Sequence, residues 1–175
     1  MWIGIEATDM DKDIIVNKDI IDKNKICIKY LDSSTDHRGV VEHINEVSLE
    51  PVKRIYIVEN HVPGFIRAWH GHLYEGKFAL MLNGSALLIA IPLICSETGD
   101  STVYNFDISK AAIIPMIWRP RTLVWIPPNH VHGYKLLTVS AQIMFLSTAT
   151  LEESKADDIR ISSSIGRELW NVPER

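Results

Sequence analysis

Between Arg67 and Lys77 the chain reads RAWHGHLYEGK: two histidines one residue apart, with an arginine before them and a lysine after. An imidazole titrates near neutrality, so it can bind a metal through a ring nitrogen or carry a proton. An ammonium donates no lone pair to a metal, but it stabilises negative charge that develops in a reaction. Side chains two apart on a strand share a face. His70 and His72 are therefore expected side by side, and Arg67 on the opposite face unless a bulge intervenes. Two histidines, an arginine and a lysine on inward-facing strand positions are costly unless they are solvated or used.

Short strands must position these residues. The segments RIYIVEN, FIRAWHGH, KFALMLNG, SALLIAIPL, STVYNFDI, RTLVWIPP and AQIMFLST are rich in β-branched and aromatic residues and bounded by Pro, Gly, Asn or Asp. LNGS at 82–85 reads as a hairpin turn. Residues 1–30 read as short edge strands, and DSSTDHRGVVEHI as a turn followed by a strand. The tail from about Leu151 reads as helical or irregular. Many short strands with regular turns imply an all-β jelly roll, a single domain over 1–175 with its core at about 33–150.

The bulk properties fit this. A chain of 175 residues, 46% hydrophobic and 23% charged, can bury a core without staples. A net charge of −4 argues against nucleic acid as a partner, which normally needs a basic surface. Cys27 and Cys95 form no CxxC pair and read as free thiols of a reducing compartment. The acidic N-terminus lacks the basic and apolar regions of a signal peptide, and the apolar run SALLIAIPLICS is too short to span a bilayer. The expectation is a cytoplasmic protein with no membrane partner.

The spacing of the histidine stretch resembles the first motif of the cupins, a family of jelly-roll barrels. Gly64 is followed by five residues and then His70, Gly71 and His72; Lys77 stands where the motif has its carboxylate, and six residues separate it from Gly84. The second motif is matched by Pro127-Pro128-Asn129-His130-Val131-His132, with Asn in place of Gly. His70, His72 and His132 could hold Zn or Fe. With Lys77 at the carboxylate position, the alternative is a metal-free pocket with no cofactor, in which His70 moves protons and Lys77 stabilises negative charge.

More residues narrow the resemblance to the dTDP-4-dehydrorhamnose 3,5-epimerase family. They are Asp36-His37-Arg38-Gly39 with Glu42 beyond, Asn60 and His61 in VENH, Arg67-Ala68-Trp69-His70, Gly76-Lys77, and WIPPNHVHG from Trp125 to Gly133. The resemblance implies a nucleotide-diphosphate sugar as partner, a homodimer, and a proton abstracted beside the C4 ketone of a 4-keto-6-deoxy sugar. His70 would be the base and Lys77 the group that stabilises the enolate. Arg38 and Arg67 would hold the diphosphate or sugar, a task that suits guanidinium forks. Asn60, Glu42 and His132 would complete the substrate site.

The chain departs from the family at three points. The general-acid tyrosine falls on Phe145, which leaves Tyr134 and Tyr74 as candidate acids. The segment from His70 to Lys77 is three residues shorter. The count for the carboxylate that pairs with the base falls on Ser163, with Asp157 and Asp158 nearby. The sugar 3,4-ketoisomerases are a rival resemblance: Tyr56 with the His70/His72 pair would supply their acid and base. A cupin that holds a sugar or metal without turnover is the non-enzymatic alternative.

Overall fold

The computed structural model describes residues 14–16, 22–98 and 101–171, and its strands are numbered β1 to β14 in chain order. Two six-stranded sheets face each other. The first has the order β1 (Ile14–Val16), β2 (Ile26–Tyr30), β11 (Thr122–Ile126), β7 (Lys77–Asn83), β13 (Gln142–Ser147), β5 (Arg54–Val58). The second runs β10 (Ala112–Ile117), β8 (Ser85–Thr98), β12 (His130–Leu136), β6 (Ile66–His72), β14 (Ile159–Arg160), with β9 (Ser101–Phe106) paired to the far half of β8. A separate hairpin is made by β3 (Asp32–Asp36) and β4 (Gly39–His43). This is the expected all-β jelly roll.

Alternation along each strand builds the core. Inward positions Ala79, Met81, Leu88, Ala90, Ile114, Val124, Ile126, Leu136 and Ile143 pack between the sheets. The outward face of the second sheet is covered by the tail: Trp69 and Phe106 pack with Trp170, and the Trp69 and Trp170 rings lie 5.2 Å apart. On the outward face of the first sheet, Phe78, Leu123 and Trp125 meet Ile44, Val47 and Val52.

Three readings change. LNGS is no hairpin, because β7 and β8 belong to different sheets. Gly84, at φ +73°, takes the chain from one sheet to the other, and Ser85 N–H donates to Thr138 Oγ1 at 3.0 Å. The Asn-Gly pair marks a sharp reversal, but the inward apolar faces on both sides settle which sheet each strand joins. DSSTD, read as a turn, is the fully exposed strand β3, and AIIPMI forms β10, which the turn-and-run pattern did not separate from its surroundings. In the tail, the helical expectation holds for α1 (Leu151–Ala156), which opens with a capping box between Thr150 and Glu153. Of the short edge strands expected in 1–30, β1 lies at the edge of its sheet, whereas β2 is an inner strand paired to β1 and β11; residues 1–13 and 17–21 lie outside the described residues.

Candidate active site

One end of the space between the sheets is polar. A cavity of about 360 Å³ opens there, and its walls include Tyr56, Arg67, His70, His72, Lys77, His132, Tyr134 and Phe145. The size suits a small-molecule site. A second hollow of about 990 Å³ lies against Phe78 and Trp125 on the outward face of the first sheet, away from this cluster.

The bulge that Arg67 requires is present. His132 pairs with His70 and Tyr134 with Arg67, so three residues of β6 advance against two of β12. Ala68 and Trp69 both join the outer apolar layer, and Arg67 turns back to the cavity on the same side as His70. Gly133 makes this possible, since a Cβ there would stand 2.5 Å from the Ala68 Cβ and 3.0 Å from the Arg67 carbonyl. Asn60 then fixes Arg67: its side-chain oxygen accepts from Arg67 Nε at 2.9 Å, and its amide donates to the Phe65 carbonyl at 3.0 Å.

His70 and His72 share a face but differ in their bonds. The Nδ1 of His72 lies 3.0 Å from the Asp157 carbonyl, and its Nε2 lies 2.8 Å from Lys77 Nζ. Nδ1–H therefore donates to the carbonyl, and the Nε2 lone pair accepts from the ammonium. Both nitrogens are engaged, so His72 anchors Lys77 and offers the cavity neither a proton nor a lone pair. The expectation named His72 as catalytic; in this structure its ring nitrogens face Asp157 and Lys77. The same lysine occupies the direction in which His72 would hold a metal, and among the described residues no group of three His, Cys, Asp or Glu is arranged to hold one.

Among the described residues, no carboxylate forms a hydrogen bond or ion pair with His70. The tail strand β14 pairs with β6 so that Arg160 stands opposite His70, and Arg160 Nη1 lies 2.7 Å from His70 Nδ1 and 3.2 Å from its Nε2. Asp158 accepts from Arg160 Nε at 2.8 Å, and the Asp157 carboxylate accepts from the backbone N–H groups of Leu73, Tyr74 and Glu75. The two candidate carboxylates thus orient Arg160 and the β6–β7 turn. Burial, then the cations Arg160 and Lys77, push His70 down to about 4. The imidazole is neutral at pH 7, the state a base needs. Burial, then Lys77, His70 and His72 close by, hold the pKa of His132 well below the usual imidazole range.

Tyr134 is buried beside Arg67; burial raises its phenol pKa and the guanidinium opposes that rise. Tyr56 stacks on Phe145 with ring centroids 5.3 Å apart, and burial pushes its pKa up strongly. Tyr74 is 81% exposed and lies outside the lining. Arg38 and Glu42 do not reach the cavity of this chain. Arg38 sits on the β3–β4 turn with its side chain 80% exposed and paired to Asp36, and Glu42 accepts from Arg121 Nε at 2.8 Å. Among the described residues, the β3–β4 hairpin pairs with no other strand. Arg54, Glu75 and Arg160 were missed in the sequence. For Glu75 the signal was a carboxylate two residues before the motif lysine; for Arg160 no local pattern exists, because only the return of the tail along β6 brings it to His70.

Replacing Arg160 with glutamine should raise the pKa of His70, since one of two opposing cations is removed. A base works only when neutral, so the acid limb of the activity–pH profile should move to higher pH. A titration of the His70 imidazole by NMR in wild type and Arg160→Gln reads this directly; an unchanged titration would show that Arg160 does not set the base.

No protein-family model matches the chain, and no curated protein matches it. Solved structures do. A 3,4-ketoisomerase from Helicobacter canadensis is 21% identical with a TM-score of 0.58, over 83% of this chain and 98% of that one. ChmJ, a 3′-monoepimerase from Streptomyces bikiniensis solved with dTDP-quinovose, is 17% identical with a TM-score of 0.65, over 85% and 75%. The Mycobacterium tuberculosis rmlC epimerase is 14% identical with a TM-score of 0.64, over 83% and 72%. The chain therefore has the fold of the RmlC-like sugar-modifying cupins, as its motifs implied.

Proposed function

We propose that this chain, which shares its fold with nucleotide-sugar epimerases and ketoisomerases, is an isomerase of a nucleotide-linked 4-keto-6-deoxy sugar, of the kind used to build deoxysugars or surface polysaccharides. The observation that carries the reading is the pairing of a neutral His70 with a buried Lys77 ammonium at the wall of one cavity. His70 takes the proton from the carbon next to the C4 ketone. The C–H electron pair becomes the enolate, and its oxygen is stabilised by Lys77. Return of a proton from Tyr134 to the opposite face of that carbon inverts it. Arg67, held by Asn60, binds the diphosphate, and His132 lines the sugar pocket. No metal takes part.

One observation favours a second reading. Tyr56 lines the cavity on the strand that precedes the motif, the place from which a 3,4-ketoisomerase would draw its acid. Against it, His72 has no free nitrogen for the second role in a His-x-His pair. Incubation with dTDP-4-keto-6-deoxyglucose carrying 13C at C3 and C4 separates the two. An epimer with its ketone still at C4, formed equally well in the presence of a chelator, is expected. A ketone at C3 would establish the ketoisomerase, and unchanged substrate with every nucleotide sugar tried would leave a binding protein.

We also propose a cytoplasmic homodimer. Edge strand β5 presents Ile55 and Ile57 outward, 60% and 55% exposed, with Val62 and Phe65 close in sequence and equally bare. No helix of the described residues is long and apolar enough to cross a membrane. Light scattering at micromolar concentration should give twice the chain mass; a monomer would contradict the assembly.

A further inference from the structure

We propose that Glu75 is the positioning residue of this site: its buried carboxylate keeps the Lys77 ammonium charged and aims it into the cavity. The proposal rests on the reading of Lys77 as the counter-charge of an enolate.

Glu75 lies in the turn between β6 and β7 with its side chain fully buried. Its Oε1 accepts from Ser147 Oγ at 2.7 Å and from Arg54 Nη2 at 3.4 Å, and lies 3.2 Å from Lys77 Nζ. Its Oε2 lies 3.2 Å from His72 Nδ1. Oε1 is thereby held from three strands, while the buried Oε2 has no hydrogen-bond partner among the described residues. An ammonium has three N–H donors. Two of those of Lys77 are directed by Glu75 and His72, and the remaining one is left for an oxygen in the cavity whose wall Lys77 forms.

A buried ion pair is a poor device for stability, because desolvation cancels much of the attraction and apolar residues would do as well. At a cavity wall its use is to hold a charge where solvent does not. Burial works against the charged state of Lys77, and so does Arg54 on β5. His70 and His72 from β6 and His132 from β12 also face it, all three held neutral by their surroundings. Asp158, from the tail, favours the charge but is paired to Arg160. Glu75 is the carboxylate in contact with the amine, so Lys77 depends on it.

The test uses protein labelled with 13C in lysine and glutamate side chains, with the Lys77 signal assigned by its loss in Lys77→Met. In Glu75→Gln the Lys77 Cε signal should titrate at lower pH than in wild type. Proton exchange into the sugar should stay near wild type at the acid end of the profile and fall about 10²-fold at the alkaline end, where the amine loses its proton. A merely structural role would lower the rate equally at every pH. A second reading needs no change at Glu75: in Lys77→Met the Glu75 carboxyl should titrate at higher pH than in wild type, since coupling is reciprocal. Unchanged titration in either variant, or a uniform loss of rate, would overturn the proposal. The NMR readings need no substrate. A wild type that turns over no nucleotide sugar would defeat the function assigned to Lys77, whereas an unchanged titration would defeat the coupling whatever the turnover.

Discussion

Replacing His70 with asparagine should abolish proton exchange at the sugar carbon while leaving nucleotide-sugar binding largely intact. Asparagine keeps the approximate size and a polar tip but has no lone pair basic enough to take a carbon-bound proton. General base catalysis commonly contributes about 10²–10⁴ in rate, and a loss in that range is expected. The cavity offers no replacement. His72 has both nitrogens occupied, and His132 is assigned to line the sugar pocket, its ring 6.0 Å from that of His70. Binding should survive because Arg67 is held by Asn60, not by His70. Calorimetry with dTDP alongside single-turnover exchange separates the two quantities. Retained exchange in His70→Asn would mean that the base has been misassigned.

Replacing Lys77 with methionine should slow exchange by about 10²–10³, the cost of removing one donor aimed at a developing oxyanion. Methionine fills the buried space of the lysine stem, so the loss is expected in kcat with the fold kept. It leaves His72 Nε2 without its donor and Glu75 with Arg54 as its cation. The Nε2 lone pair of His72 is then free to act as a weak base, and some residual exchange through it is consistent with the account. Alanine in the same place adds a cavity and should cost stability as well, so methionine is the cleaner variant. Rates within about threefold of wild type for Lys77→Met would remove Lys77 from the mechanism.

Much of this site was legible in the sequence because its core lies in one short stretch. Strand periodicity alone put His70 and His72 on one face, and the same rule showed that Arg67 could join them only through a bulge. The bulge sits where Gly133 allows it. Reading Lys77 as a cation in place of a ligand also came from residue type, and its contact with His72 Nε2 gives that reading a geometry. What was not legible depends on contacts distant in sequence. Arg160 meets His70 across 90 residues, and Asp157 meets the β6–β7 turn across more than 80. No local pattern encodes either, because β14 is only two residues long and its pairing is fixed by the packing of Trp69 and Trp170 behind it. The partners of His72 were not legible for a related reason. A histidine at a catalytic spacing looks available until its partners are known, and here one partner comes from the tail. LNGS failed because turn chemistry specifies a reversal, not a pairing.

The measurement that bears most directly on the central claim is the fate of one sugar hydrogen. Wild-type protein is incubated in deuterated water with dTDP-4-keto-6-deoxyglucose, and the proton NMR signals beside the ketone are followed. Loss of the signal at a carbon adjacent to C4, with deuterium retained there and the configuration inverted, is the expected result, and it should vanish in His70→Asn. Full retention of protium at both neighbouring carbons, in protein shown to bind the nucleotide, would contradict the account.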